Sequence, residues 1–306
     1  MNLAQKLLPV FCFLVVLPLS AESYISFHIG RTISHSDIDL DLIHIGHPTY
    51  CDSLLYPNPA EAPTDGACAV YEKQRAYAGK INPDAGWFAR YAFGRRFDVW
   101  RLEVIHEHSQ LNHVEQLLPL ATTGDAQISS KSNEWSQFAL PSNTYDDQGT
   151  RILALNGLRD FALSDKWTGY VGVGLGIAHL DFNYGNDFLR KTVAEGYLEV
   201  PFPVEWPDVA KVNAAGTLSA LYESVSGLVT TYSFIAGVDF DTGQDTSLGV
   251  RLTWREFGEL THKDAEWTTI RSHAPVLADG RTPFISDLEF KPWGYLGLSF
   301  VLTRYF

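Results

Sequence analysis

The sequence predicts an all-β chain, an eight-stranded antiparallel transmembrane β-barrel with long extracellular loops and short periplasmic turns. Three features predict it: an aromatic- and glycine-rich composition, eight segments alternating with period two, and connections that alternate short and long. The 306 residues are 45% hydrophobic, 13% aromatic and 19% charged, with one Met against 14 Tyr, 18 Phe, 8 Trp and 24 Gly. Helical cores draw on Leu, Met and Ala, whereas aromatics with few charges favour sheet. The net charge of −13 repels a polyanion, so no nucleic-acid partner is expected.

The N-terminus sets the compartment. Lys6 precedes an uncharged run of 13 residues, Leu7 to Leu19, followed by small residues. That is the pattern of a secretory signal peptide, and the run is shorter than the roughly 20 residues a membrane-spanning helix needs. The expected division is a signal at 1–21 and a barrel domain at 22–306. Cleavage after Ser23 fits the small-x-small rule better than cleavage after Ala21, because it puts Ala21 rather than Leu19 at −3. Cys12 lies within the signal. The two remaining cysteines bound a loop-like segment, CDSLLYPNPAEAPTDGAC, with three prolines and a glycine. In an oxidising compartment Cys51 and Cys68 are expected to pair, contributing about 3 kcal/mol on the chain-entropy model.

The strands follow in order. Ile25, Phe27 and Ile29 alternate with Ser26, His28 and Gly30. Trp87, Ala89, Tyr91 and Phe93 alternate with Phe88, Arg90, Ala92 and Gly94, and Trp100, Leu102 and Val104 oppose Arg101, Glu103 and Ile105. The fourth segment, RILALNGLRDF (151–161), is strand-like without assignable faces. In the fifth, Val171, Val173, Leu175 and Ile177 oppose glycines and Ala178. The sixth sets Tyr232, Phe234, Ala236, Val238 and Phe240 against Ser233, Ile235, Gly237 and Asp239. The seventh sets Leu248, Val250, Leu252 and Trp254 against Gly249, Arg251, Thr253 and Arg255. The last sets Leu296, Leu298, Phe300 and Leu302 against Gly297, Ser299, Val301 and Thr303.

The second face of these strands combines small residues with isolated charges: Arg90, Arg101, Glu103, Asp239, Arg251 and Arg255. Such a face suits the crowded interior of a small closed barrel, where charges pair. The apolar face, with aromatics towards its ends, suits lipid. Short connections near 95–98, 162–167 and 241–245 alternate with long ones at about 31–85, 109–150, 183–229 and 259–292. An outer-membrane barrel alternates its turns and loops in this way. Phe306 ends the final alternating strand, as the signal read by the barrel-insertion machinery would. Arg304, on the apolar face, is expected to snorkel to water at the periplasmic rim.

These pieces resemble the opacity-protein and OmpA-type superfamily of small outer-membrane barrels, in particular opacity-like porins and surface antigens. The likeness is carried by CDSLLYPNPAEAPTDGAC (51–68), WTGYVGVGLGIAHLDFNY (167–184), FIAGVDFDTGQDTSLGVRLTWREFGE (234–259) and IRSHAPVLADGRTPF (270–284). It implies a Gram-negative cell-surface protein whose loops touch the outside world, as in adhesion to host cells. The expected partners are outer-membrane lipid and lipopolysaccharide, the insertion machinery, and host surface or matrix molecules.

No catalytic motif, metal site or cofactor is expected. His106-Glu107-His108 reads as a polar rim rather than a metal site, and Asp37, Asp39 and Asp41 as a solvated edge lacking the glycine and terminal glutamate of a calcium loop. There is no G-x-S-x-G, H-E-x-x-H or P-loop. The interior charges read as a neutralising network, because eight strands leave room only for side chains. If the barrel conducts, their excess of arginine predicts anion preference. Trp135, Trp206 and Trp267 are candidate exposed loop contacts. The expected function is an adhesin-like or envelope-contact role, with a narrow porin as the alternative.

Overall fold

A computed structural model describes residues 21–45, 74–81, 84–112, 114–118, 136–140, 149–189, 218–271 and 285–306. The expected signal peptide up to residue 20, Cys51, Cys68, Trp135 and Trp206 lie outside the described residues. The strands are β1 (Glu22–His35), β2 (Ile38–Ile45), β3 (Gln74–Ile81), β4 (Asp84–Phe97), β5 (Trp100–Asn112), β6 (Val114–Leu118), β7 (Ser136–Leu140) and β8 (Thr150–Ala162). They continue as β9 (Trp167–Leu189), β10 (Leu218–Gly243), β11 (Thr246–Phe257), β12 (Leu260–Glu266), β13 (Thr268–Arg271), β14 (Ile285–Phe290) and β15 (Trp293–Tyr305).

Eight of them close a barrel. The antiparallel order β10-β11-β15-β1-β4-β5-β8-β9 returns to its start through a β9–β10 ladder from Leu189/Leu218 to Trp167/Phe240. Each of the eight segments expected from the alternation lies in one of these strands. At one end the connections are tight. Gln244 and Asp245 both take φ near 55°, the backbone of a type I′ hairpin turn that matches the twist of its flanking strands. The two ends of the barrel meet there, with Ser23 and Phe306 exchanging backbone hydrogen bonds of 3.2 and 2.9 Å.

The alternation that defines the wall changes phase along it. On β9 the lower apolar residues are odd-numbered and face outward, with Leu175 at 72% exposed; higher up, the buried Ala178, Leu180 and Tyr184 are even-numbered and face inward. On β10 the exposed Tyr232 and Phe234 give way to buried Val229, Val225 and Leu221. On β1 the exposed Ile25, Phe27 and Ile29 give way, in β2, to buried Ile38, Leu40 and Leu42. Below the switch the outside is apolar and the inside polar, which is the arrangement lipid requires. Above it the relation is that of a protein in water.

Residues expected as long loops at 31–85, 183–229 and 259–292 therefore contain much strand. The second sheet, β12-β14-β2-β3, repeats the order of β11-β15-β1-β4 and carries the wall upward. The chain bends at Ser36-Asp37, Gly258-Glu259 and Lys291-Pro292, while backbone bonds from Ser36 to Gly294 (2.9 Å) and Lys291 to Asp39 (2.8 Å) bridge the bend. Pro292 has no N–H for the ladder, which explains the break in that strand. The tier above the bend encloses an apolar core in which Leu40, Leu288 and Phe290 meet Tyr184, Leu221 and Val225. Phe182 and Tyr184 stand edge-on to Phe290 at 5.0 and 6.0 Å.

Inside the membrane tier, aromatic rings lie over glycines of the facing strand. Tyr24 covers its register partner Gly94, and Tyr170 covers Gly237. A Cβ at Gly237 would stand 2.3 Å from the Tyr170 ring, whereas one at Gly157 would meet nothing within 4 Å. Gly237→Leu should therefore destabilise the barrel by about 1–3 kcal/mol through overpacking, and Gly157→Ala should leave it within about 0.5 kcal/mol. Urea-dependent loss of heat-modifiable gel mobility measures both, and equal midpoints would refute the packing argument.

Candidate functional site: the charged interior of the barrel

Successive residues on a strand face opposite sides of the sheet, so polar residues spaced by two on the inward face meet in the lumen. On β5 these are Arg101, Glu103 and Glu107; on β11 they are Arg251 and Arg255. In the ring of eight, β5 and β11 are four steps apart and stand diametrically opposite. Arg251 nevertheless grips Glu103 with two parallel hydrogen bonds, NH1 to Oε2 at 3.0 Å and NH2 to Oε1 at 2.9 Å. The lumen is narrow enough for one side-chain pair to span it.

Glu103 gathers two further donors, the Tyr24 hydroxyl at 2.9 Å and Asn156 Nδ2 at 3.2 Å. The Nε of Arg251 donates to the Tyr170 hydroxyl at 3.0 Å. Nearer the turns, Arg101 binds Asp160 through Nε (2.8 Å) and Asp239 through NH1 (2.7 Å), and Arg96 reaches Asp160 from the rim at 3.0 Å. Nearer the outside, Glu107 takes Arg90 at 2.6 Å, Arg255 at 3.5 Å and the Tyr295 hydroxyl. Arg90 also donates to Thr253 at 3.3 Å.

The six interior residues expected from the sequence are all buried and all belong to this network. Sequence reasoning missed two further members, Glu107 and Asp160. Glu107 shares the inward parity of Glu103, a signal obscured by reading 106–108 as one unit. The wall divides that unit: Glu107 points in, while His106 is exposed on the other face. Asp160 sits on the strand whose faces the alternation left unassigned. With both included, four buried arginines (Arg90, Arg101, Arg251, Arg255) meet four buried carboxylates (Glu103, Glu107, Asp160, Asp239). This corrects the expected arginine excess and removes the basis for anion preference.

Other expected features resolve as follows. Arg304 is exposed at the turn end, donating to the Gln244 carbonyl at 2.6 Å and to Thr246 Oγ1 at 3.1 Å. Trp267, expected as an exposed contact, is instead buried, with Nε1 bonded to Ser286 at 2.8 Å. It occupies the inward side of the upper tier, where apolar residues face the core. Asp37 and Asp39 stand 3.8 and 3.5 Å from Lys80, and Asp41 lies 3.7 Å from Lys291. Hydrogen bonds that the Lys291 ammonium donates, chiefly to Glu289 and also to Glu259, hold it above the ordinary lysine range. Among the described residues no cluster of three or more His, Cys, Asp or Glu has the arrangement of a metal site.

Removing one partner of a buried ion pair strands the other, which typically costs about 3–5 kcal/mol, whereas replacing both with apolar residues is far milder. Glu103→Leu should destabilise the barrel by that amount, and Glu103→Met with Arg251→Met should recover most of it. The check is the urea midpoint of the refolded protein; a double variant as unstable as the single would count against the pairing.

No protein-family model matches the sequence, and no curated protein matches it. Solved structures that align with the chain include Neisserial surface protein A, at 10% identity over 92% of this chain and 97% of that one, with a TM-score of 0.31. The outer membrane protease OmpT from Escherichia coli aligns at 8% identity over 92% and 97%, with a TM-score of 0.39. Ail, the attachment invasion locus protein of Yersinia pestis, aligns at 10% over 92% and 99%, with a TM-score of 0.25. The assignment rests on the chain's own strand order and on the polarity of its two faces. A closed eight-strand ladder, an apolar exterior and a charge-balanced, filled interior make this chain an integral outer-membrane β-barrel of eight strands.

Proposed function

We propose that the protein is a surface-contact barrel, adhesin-like in role, whose membrane tier is a closed scaffold and whose tall outer tier presents its connections to the outside. The observation that carries this reading is the Glu103–Arg251 pair spanning the lumen, with both side chains about 1% exposed. Three layers of ion pairs lie along the path that a porin would keep open, and the apolar core of the outer tier lies above them. A scaffold of this kind puts its interaction capacity in its connections, which tolerate change because the wall does not depend on them.

Two measurements test it. Refolded full-length protein, shown to be folded by heat-modifiable mobility, should give no discrete steps in a planar bilayer. Reproducible steps from the unaltered protein would overturn the closed scaffold and restore the narrow porin. Deleting residues 190–217, between β9 and β10, should lower binding to host cells or matrix by at least about tenfold, on the scale of a lost interaction hot spot. Undiminished binding after each long connection is deleted in turn would remove the contact role.

A further inference from the structure

Aromatic rings circle the outer face of the barrel at its turn end. Trp100 on β5, Phe161 on β8, Trp167 on β9 and Phe306 after β15 are all exposed. Such a girdle marks the level at which the lipid head groups begin. Arg159 on β8 stands just inside it. It is the register partner of Trp100 and is exposed on the outward face with Phe161, while Asn156, Leu158 and Asp160 of the same strand are buried. Followed from strand to strand, the row that begins Trp100–Arg159–Val171 returns to β5 at Gln110, ten residues higher. A row therefore climbs about one residue per strand, which places Arg159 about 3 Å above Trp100, on the lipid side of the girdle.

A cation at the edge of the hydrocarbon calls for an anion or a polar partner. Two other arginines at this end have theirs: Arg96 binds Asp160, and Arg304 is held by the Gln244 carbonyl and Thr246. Arg159 instead lies over the Trp100 ring at 5.7 Å, and no carboxylate among the described residues is within 4 Å of it. Two residues farther from the turn, on the same strand and face, Gly157 leaves a notch, since a Cβ there would meet nothing within 4 Å. The register partners of Gly157 are Leu102 and Val173, so apolar side chains flank the notch on both sides. A guanidinium at the head-group level, with an apolar notch rising from it towards the middle of the membrane, matches the two ends of one phospholipid.

We propose that Arg159, Trp100 and the notch at Gly157 bind one phospholipid of the inner, periplasmic leaflet, its phosphate on Arg159 and an acyl chain along Gly157 between Leu102 and Val173. The planar guanidinium offers two parallel donors to phosphate oxygens, and the Trp100 ring holds it from one side. The acyl chain fills the space that a side chain would take at position 157. The site fixes the depth at which the barrel sits from its periplasmic end.

The test uses refolded full-length protein in detergent, with phosphatidylglycerol retained per barrel measured by native mass spectrometry. Arg159→Gln should weaken retention by at least about tenfold, the scale of one hydrogen bond to a charged group. Arg304→Gln is the control: Arg304 is an exposed arginine at the same end whose guanidinium already has partners, and its loss should leave retention unchanged. Gly157→Leu, which fills the notch without touching a charge, should weaken retention about fourfold, the scale of one methylene's contact, with an unchanged urea midpoint. Diacylglycerol with the same chains but no phosphate should bind the unaltered protein as weakly as phosphatidylglycerol binds Arg159→Gln, an arm that needs no variant to fold. Inorganic phosphate should not displace the lipid at equal concentration. Equal losses in the two arginine variants, full retention by Gly157→Leu, equal binding of diacylglycerol, or displacement by inorganic phosphate would each overturn the site.

Discussion

One ion pair across a narrow lumen constrains the rest of this barrel. Glu103 and Arg251 reach each other from opposite walls, so β5 and β11 must hold a fixed separation and register. Slipping either strand by one residue would send its charge into lipid and draw an apolar side chain inside. A buried ion pair is a weak source of net stability because desolvation offsets much of its attraction. Here its stronger effect is to penalise every other register. Glu107 with Arg255, four residues along on the same two strands, repeats the constraint one level higher.

The lower network and the upper core are answers to one boundary condition. Where lipid surrounds the wall, apolar side chains face out and every interior charge needs a partner; four arginines and four carboxylates meet that need. Where water surrounds it, the apolar side chains turn inward and no such network is required. Strands crossing the boundary keep their period of two and change its phase, as β9 does between Ile177 and Ala178. Glycines in the membrane tier serve the same economy of space, since Tyr24 and Tyr170 reach Glu103 and Arg251 across Gly94 and Gly237.

Much of this is legible in the amino-acid sequence. The eight strands, the tight turns and six of the eight paired interior charges follow from parity along the sequence. The seventh and eighth, Glu107 and Asp160, did not. Glu107 was hidden by its histidine neighbours, although parity alone assigns it to the inside. Asp160 was hidden because Ile152, Leu153, Ala154 and Leu155 are apolar in succession. Ile152 and Ala154 face the core while their neighbours face lipid, so both sides of the wall are apolar there and alternation vanishes. The upward strands look like loops in the sequence for the opposite reason: their alternation is present, but its phase is reversed from the membrane rule.

The sequence by itself determined the fold class, because alternation is a local property that each strand carries whatever its partners. It also determined the polarity of the wall, because lipid and a crowded lumen select different residues at each step. Only the tertiary structure decided which charges meet, since Glu103 and Arg251 are separated by 148 positions and are joined only by closure of the ring. Closure likewise decided that the lumen is neutral, while the pairing of β12, β14, β2 and β3 decided that the second sheet continues the first. A local pattern specifies which way a side chain points; what it meets there depends on strand order and register, and those are set by the whole barrel at once.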